Sequence, residues 1–121
     1  LRSVEDIREA YKIFVKDGFD NLITGTRSRK NPYFNMIEIT NGKVELSKQL
    51  KDIPVNRQQA PQVFDMNASI YIWNRYFLLK ENSLFSGRLG FYEMPEDRSI
   101  DIDSPLEWEI VKMLLEKKSS G

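Results

Sequence analysis

Two aspartates separated by one isoleucine are the residues of this sequence best suited to bind a cation. Asp101 and Asp103 lie in the stretch RSIDIDSPLEWEI, residues 98–110, directly before a predicted helix. If the stretch is extended, the two carboxylates share a face about 7 Å apart, while Ile100 and Ile102 point into the core. Such oxygen ligands suit Mg²⁺, which usually takes one or two carboxylates together with water and phosphate oxygens. The alternative is a solvated strand face followed by a helix cap.

A second cluster, NRQQAPQVF at residues 56–64, concentrates hydrogen-bond donors in a short polar segment. Arg57 can bind a carboxylate or a phosphate through two hydrogen bonds. The amides of Gln58, Gln59 and Gln62 can bind sugar hydroxyls or base edges. The segment is therefore a candidate substrate site, and a polar surface loop is the alternative.

A third candidate is Asn67, which precedes the otherwise apolar run ASIYIW. A buried amide costs free energy unless it is paired, so Asn67 must bind either nearby backbone or a ligand hydroxyl. Strand alternation places Tyr71 on the same face as Ser69.

The composition excludes several classes of catalytic site and argues against some classes of binding partner. Eighteen Lys plus Arg balance eighteen Asp plus Glu, which argues against a nucleic-acid or membrane-surface binder. The chain has no Cys and no His, which excludes Ser-His-Asp and Cys-His catalysis and His-ligated zinc within it. The lack of Cys also fits a cytoplasmic location, and no stretch has the length and hydrophobicity of a membrane span.

Helix and strand signals alternate, which predicts the α/β class with an inserted hairpin. Ser3 and Asp6 form a predicted capping box, and Asn41-Gly42 is the strongest hairpin signal. The predicted helices cover residues 3–16, 74–82 and 104–118. The predicted strands cover residues 21–26, 68–73 and 87–94, and the hairpin covers residues 34–46.

The three clusters follow one another in a particular order. RQQ.PQ.F, then N.S.Y, then FYEM....SIDID and a closing amphipathic helix resemble the acylneuraminate cytidylyltransferases, the CMP-sialic acid synthetases. The resemblance covers essentially the whole chain, residues 1–121, as the C-terminal portion of one cytidylyltransferase domain. It implies a three-layer Rossmann-like nucleotidyltransferase fold. The first two residues match a family segment that precedes a helix, so the chain start is expected to be internal.

The resemblance implies an enzyme that joins CTP to a nine-carbon 2-keto sugar acid, with Mg²⁺ as cofactor and pyrophosphate as the second product. Asp101 and Asp103 match the metal-binding pair, and Arg57 matches a catalytic basic residue near the sugar. The implied substrate-binding residues are Gln58, Gln59, Asn67, Tyr71, Leu84 and Phe85.

The hairpin and following loop, residues 32–61, resemble the dimerisation segment of the family, which implies a cytoplasmic homodimer. The family's glycine-rich nucleotide-binding half has no counterpart in this chain. We therefore expect the isolated chain to be inactive. Asp65 and Phe34 replace basic residues found in some sialic-acid members, so legionaminic and pseudaminic acids are candidate substrates.

Two alternative functions are consistent with the sequence. The first is a non-catalytic interaction module that uses the hairpin as a dimer arm. The second is a cytidylyltransferase for another keto-sugar acid, such as 3-deoxy-manno-octulosonate.

Overall fold

The computed structural model describes residues 2–49, 60–80, 83 and 85–120. It divides into two compact units, which we call the sheet unit (Leu1–Thr26 with Met66–Gly121) and the hairpin unit (Arg27–Asp65). The helices of the described part are α1 (Val4–Lys16), α2 (Arg75–Lys80) and α3 (Pro105–Ser120). Its strands are β1 (Asn21–Arg27), β2 (Ile37–Thr40), β3 (Lys43–Leu46), β4 (Phe64–Trp73) and β5 (Leu89–Glu93), and Glu96–Arg98 forms a 3₁₀ turn.

The first helix begins at the predicted capping box. The Ser3 side chain accepts a hydrogen bond from the Asp6 backbone, and the Asp6 carboxylate accepts one from the Ser3 backbone. These two bonds satisfy backbone donors that the first helical turn leaves unpaired. Gly18, with φ of 63°, follows the helix end in the left-handed conformation that glycine adopts at low cost.

The sheet unit is mixed α/β, which confirms the predicted class. Its three-stranded sheet has the order β4-β1-β5. β1 and β5 are parallel, from the pair Asn21 and Leu89 to the pair Gly25 and Glu93. The Met94 backbone N–H donates to the Gly25 carbonyl at 2.7 Å, so the ladder continues past β5. The chain that carries Asp101 and Asp103 therefore leaves from the carboxyl edge of two parallel strands, the usual ligand edge of an open α/β sheet.

The core of the sheet unit lies where α1 meets the sheet. Ala10 of α1, Leu22 of β1, Ile70 of β4 and Met94 are all buried and form one cluster. The half-buried side chains that pack around this cluster are Ile13, Phe14, Ile72 and Tyr92.

Strand β4 lies antiparallel to β1 and contains a bulge. At one end Asn74 N–H donates to the Asp20 carbonyl, and at the other Ser28 N–H donates to the Val63 carbonyl. The stretch from Val63 to Asn74 is longer than the stretch from Asp20 to Ser28 that it faces, so the β4 side contains extra residues. The extra length coincides with Ala68, whose φ of 51° is unusual for a residue with a Cβ.

The predicted hairpin is confirmed. Ile37–Thr40 pairs antiparallel with Lys43–Leu46, so that Thr40 lies opposite Lys43. Asn41 and Gly42 have φ of 52° and 80°, the two positive values that a type I′ turn requires.

The largest difference from the sequence-based expectation concerns residues 100–103, which have no regular secondary structure. Ile102 is 52% exposed, so the expectation that it points into the core is wrong. The 3₁₀ turn at Glu96–Arg98 ends the extended conformation before the aspartates, and strand alternation does not apply to them. Within the described ranges, no helix is both long and apolar enough to cross a lipid bilayer.

The bulge can be tested by substituting Ala68. Glycine relieves about 1 kcal/mol of left-handed strain and adds a similar entropic cost, so Ala68→Gly should stay within about 0.5 kcal/mol of the parent in free energy of unfolding. Ala68→Val should lower that free energy by at least about 1 kcal/mol, because a β-branched residue strongly disfavours positive φ. Urea denaturation measures both values. A stabilising valine, as strand propensity alone would suggest, would contradict the bulge.

Candidate functional site

Asp101 and Asp103 are both exposed and lie between the 3₁₀ turn and α3. In the described part of the chain, no group of three or more His, Cys, Asp or Glu side chains is placed to hold a metal ion. Two accessible carboxylates without a third protein ligand still fit Mg²⁺, which commonly completes its shell with water and substrate phosphates. The donor set therefore suits a metal held jointly by protein and substrate, and no complete protein cage is present in these ranges.

Arg98, which lies shortly before these aspartates in the chain, forms an ion pair with the buried Asp6 of the first helix. The Asp6 side chain is 1% exposed, and the Arg98 guanidinium binds it in a two-point contact, with Nε–Oδ2 at 2.8 Å and Nη2–Oδ1 at 2.9 Å. Tyr92 donates its hydroxyl to the same carboxylate at 2.9 Å. Ser3 adds its backbone N–H at 2.9 Å and its hydroxyl at 3.0 Å. The Asp6 carboxylate accepts each of these hydrogen bonds, so each one stabilises its negative charge.

The pKa values of this cluster shift in the directions that its charges require. The hydrogen bonds from Arg98, and then those from Ser3 and Tyr92, hold the pKa of Asp6 far below its usual range against the opposing effect of burial. Burial and the neighbouring Asp6 carboxylate raise the pKa of Tyr92. The bond to Asp6 raises the pKa of Arg98. Asp6 is therefore a permanent anion at neutral pH.

Asn67, predicted to contact either nearby backbone or a sugar hydroxyl, is 4% exposed and bound by other protein groups. Its Oδ1 accepts from the Thr24 hydroxyl at 2.6 Å and from the Ser69 backbone at 3.1 Å. Its Nδ2 donates to the Ser99 hydroxyl at 3.0 Å and contacts Met94 Sδ at 3.3 Å. The bond to Ser69 is the predicted turn bond, and a direct role for Asn67 in sugar binding stays a prediction.

The other predicted substrate residues fall into two groups. Tyr71 of β4 is 44% exposed and Phe85 is 63% exposed, which leaves part of each ring accessible to a ligand. Arg57, Gln58, Gln59 and Leu84 lie outside the described residues, and their roles stay predictions from sequence.

The hairpin unit contains a cavity of about 430 Å³. Residues 27–29, 31, 34 and 60–63 line it, and the charged members of this set are Arg27 and Arg29. The buried Asn31 joins its two sides, since Nδ2 donates to the Pro61 carbonyl at 3.0 Å. Pro61 follows the predicted Arg57–Gln59 cluster in sequence.

The capping-box pattern indicates a helix cap at Asp6 but not its ion pair, and no sequence pattern indicates a role for Arg98, Tyr92 or Ser99. No local pattern connects Asp6 to an arginine so distant in sequence, because their contact exists only in the folded chain.

Comparison with known proteins gives several curated relatives of this chain. No family model matches the chain. A protein of Campylobacter coli named post-translational flagellin modification protein B is 44% identical over 98% of this chain and 50% of its own length. The CMP-N,N'-diacetyllegionaminic acid synthase of Campylobacter jejuni is 46% identical over 81% of this chain and 41% of its own length. An N-acylneuraminate cytidylyltransferase of Oncorhynchus mykiss is 28% identical over 88% of this chain.

These relatives confirm the resemblance drawn from the ordered motifs. Homologues named CMP-N,N'-diacetyllegionaminic acid synthase and N-acylneuraminate cytidylyltransferase cover most of this chain, which matches a C-terminal fragment of that family. The relative of 46% identity is named for N,N'-diacetyllegionaminic acid. The chain spans about half the length, or less, of the curated relatives it matches.

The buried ion pair makes stability depend on pH in a defined direction. Because the folded-state pKa of Asp6 is depressed, its contribution is complete above its unfolded value of about 4 and is lost as pH falls below it. Asp6→Asn should lower the free energy of unfolding at pH 7 by about 2–3 kcal/mol, at the low end for buried pairs because Arg98 is partly exposed.

Denaturation in urea at a series of pH values between 3 and 7 measures both effects. Asp97→Asn is the matched control, since Asp97 is an exposed aspartate of the 3₁₀ turn. The parent and the control should lose stability below about pH 4, whereas Asp6→Asn should show a flatter profile. Equal slopes in all three proteins would contradict the assignment.

Proposed function

We propose that the protein is a cytidylyltransferase that joins CTP to a nonulosonic acid of the legionaminic type. The observation that carries the proposal is the accessible pair Asp101 and Asp103 at the carboxyl edge of parallel strands, in a chain related to enzymes named for this reaction. The proposed fold is the three-layer Rossmann-like nucleotidyltransferase fold, to which this chain contributes the C-terminal portion.

In the proposed reaction, the anomeric hydroxyl of the sugar acid attacks the α-phosphate of CTP. A bond forms between the sugar oxygen and the α-phosphorus, the bond from that phosphorus to the bridging oxygen of the β-phosphate breaks, and the hydroxyl proton passes to solvent as pyrophosphate leaves. The carboxylates of Asp101 and Asp103 would hold Mg²⁺, which supplies neutralisation of the phosphate charge when bound. Such chemistry depends on positioning and electrostatics, so the absence of histidine is no obstacle.

The remaining contacts of the proposed site are assigned to sugar recognition. Arg57, Gln58 and Gln59 would bind the carboxylate and hydroxyls of the sugar acid, because a guanidinium and amides match those groups. Exposed Tyr71 and Phe85 would pack against its apolar faces. The legionaminic type is proposed because a relative of 46% identity is named for it.

The metal-binding role can be tested with Asp103→Asn in the full-length protein. The amide keeps the volume and removes the charge, so CMP-sugar formation should fall at least about 100-fold, with a raised Mg²⁺ requirement. CTP-dependent pyrophosphate release, measured over a range of Mg²⁺ concentrations with a panel of nonulosonic acids, gives both values.

The control is Asp97→Asn, which removes a nearby exposed carboxylate that the proposal leaves without a role. It should retain the parent rate and the parent Mg²⁺ dependence. Unchanged turnover of Asp103→Asn, or an equal loss in the control, would overturn the metal assignment.

We further propose that the hairpin mediates a homodimer. In the antiparallel pairing, Ile37 lies opposite Leu46 and Ile39 lies opposite Val44, so these four side chains share one face. Ile37, Ile39 and Val44 are largely exposed, and Ile39 is 68% exposed. An exposed apolar face on a two-stranded ribbon is typical of a surface that another chain covers.

The opposite face of the hairpin provides the control for a test of this dimer. Ile39→Lys places a charge on the apolar face, whereas Thr40→Lys places the same charge on the polar face, opposite Lys43. Sedimentation velocity of the full-length protein should show a shift from dimer to monomer for Ile39→Lys alone. A parent that is monomeric, or two variants that both stay dimeric, would rule out this interface.

A further inference from the structure

The segment that carries the two aspartates follows two side chains that bind other elements of the sheet unit. Arg98 contacts Asp6 of α1, and Ser99 contacts Asn67 of β4. On the carboxyl-terminal side, α3 begins with a hydrogen bond from Trp108 N–H to the Ser104 carbonyl at 3.2 Å. Residues 100–103 therefore form a short irregular span between these attachments and the start of α3.

The first attachment is the contact between Arg98 and Asp6. A carboxylate that is 1% exposed is costly to bury unless strong donors surround it. The two-point guanidinium contact fixes the arginine in direction as well as distance. Tyr92 of β5 and Ser3 at the start of α1 hold the carboxylate from other sides. Moving the 3₁₀ turn would expose or unpair this charge, so the turn is held firmly against α1.

The second attachment is independent of the first and approaches from β4. Ser99 accepts a hydrogen bond from Asn67 Nδ2 at 3.0 Å and donates one to the Pro95 carbonyl at 2.8 Å. Asn67 is buried and is itself held by the Thr24 hydroxyl of β1 at 2.6 Å. The bulge at Ala68 places the neighbouring Asn67 in this buried position.

We propose that Asp6 and Asn67 are positioning residues for the metal site, acting through Arg98 and Ser99 on the backbone that presents Asp101 and Asp103. This inference rests on the metal-binding role in the proposed function. Ligands of a metal must be held to within about 0.5 Å, and an exposed irregular segment reaches that precision only if its supports are rigid. Outer contacts of this kind typically change metal affinity by 10–100-fold.

The test uses variants that weaken one attachment with little change in volume. Arg98→Lys keeps the positive charge and loses the two-point contact, and Ser99→Ala removes one hydroxyl. Arg88→Gln is the matched control: Arg88 also bonds across the fold, to the Asp17 carbonyl at 2.8 Å, but it precedes β5 at the opposite edge of the sheet. Circular dichroism confirms that each variant is folded at the assay temperature.

The primary readout is the affinity for Mn²⁺, measured by water proton relaxation on the full-length protein with saturating CTP. Arg98→Lys and Ser99→Ala should each raise the Mn²⁺ dissociation constant by about 10–100-fold, whereas Arg88→Gln should leave it unchanged. A second readout is amide hydrogen exchange of residues 99–103, which should accelerate in the first two variants alone. A merely stabilising role would not single out this segment.

The outcomes separate the inference from the proposed function. If the parent binds no Mn²⁺, or Asp103→Asn binds it as tightly as the parent, the proposed metal site fails and the positioning role fails with it. If the parent binds Mn²⁺ and Asp103→Asn does not, the metal site stands. In that case, Arg98→Lys and Ser99→Ala with the affinity of Arg88→Gln would overturn the positioning role alone.

Discussion

A buried negative charge at the first turn of α1 constrains the sheet unit more than any other described contact. Removing a carboxylate such as Asp6 from water costs several kcal/mol, and the folded chain recovers that cost only if donors reach it from several sides. Those donors come from the helix start, from Tyr92 of β5 and from Arg98 of the 3₁₀ turn. The same carboxylate caps the helix, so one charge joins α1 to the carboxyl edge of the sheet.

The proposed site combines two opposite requirements. Metal ligands that exchange water and substrate phosphates must be accessible, and Asp101 and Asp103 are exposed. Accurate placement requires packing and hydrogen bonds, which the buried Asp6 and Asn67 would supply through their contacts with Arg98 and Ser99. In this arrangement, exposed carboxylates would depend on buried polar residues that are themselves held in hydrogen-bond networks.

In the hairpin unit, the two faces of the β2–β3 ribbon differ in chemistry. The polar face pairs Glu38 with Glu45, a repulsive contact that the ion pair of Lys43 with Glu45 at 2.7 Å partly offsets. In the described structure of one chain, the side chains of Ile37, Ile39 and Val44 on the apolar face stay exposed. The proposed dimer would cover this face.

The sequence alone determined the elements with strong local signals: the capping box at Ser3, the turn at Asn41-Gly42 and the α/β class. It also supplied the ordered motifs that led to the family. The tertiary structure decided the rest, since Asp6 meets Arg98 only after folding, the bulge at Ala68 turns Asn67 inward, and a 3₁₀ turn leaves Ile102 exposed. Local signals arise from backbone preferences of neighbouring residues, whereas burial and ion pairing depend on which distant segments the chain brings together.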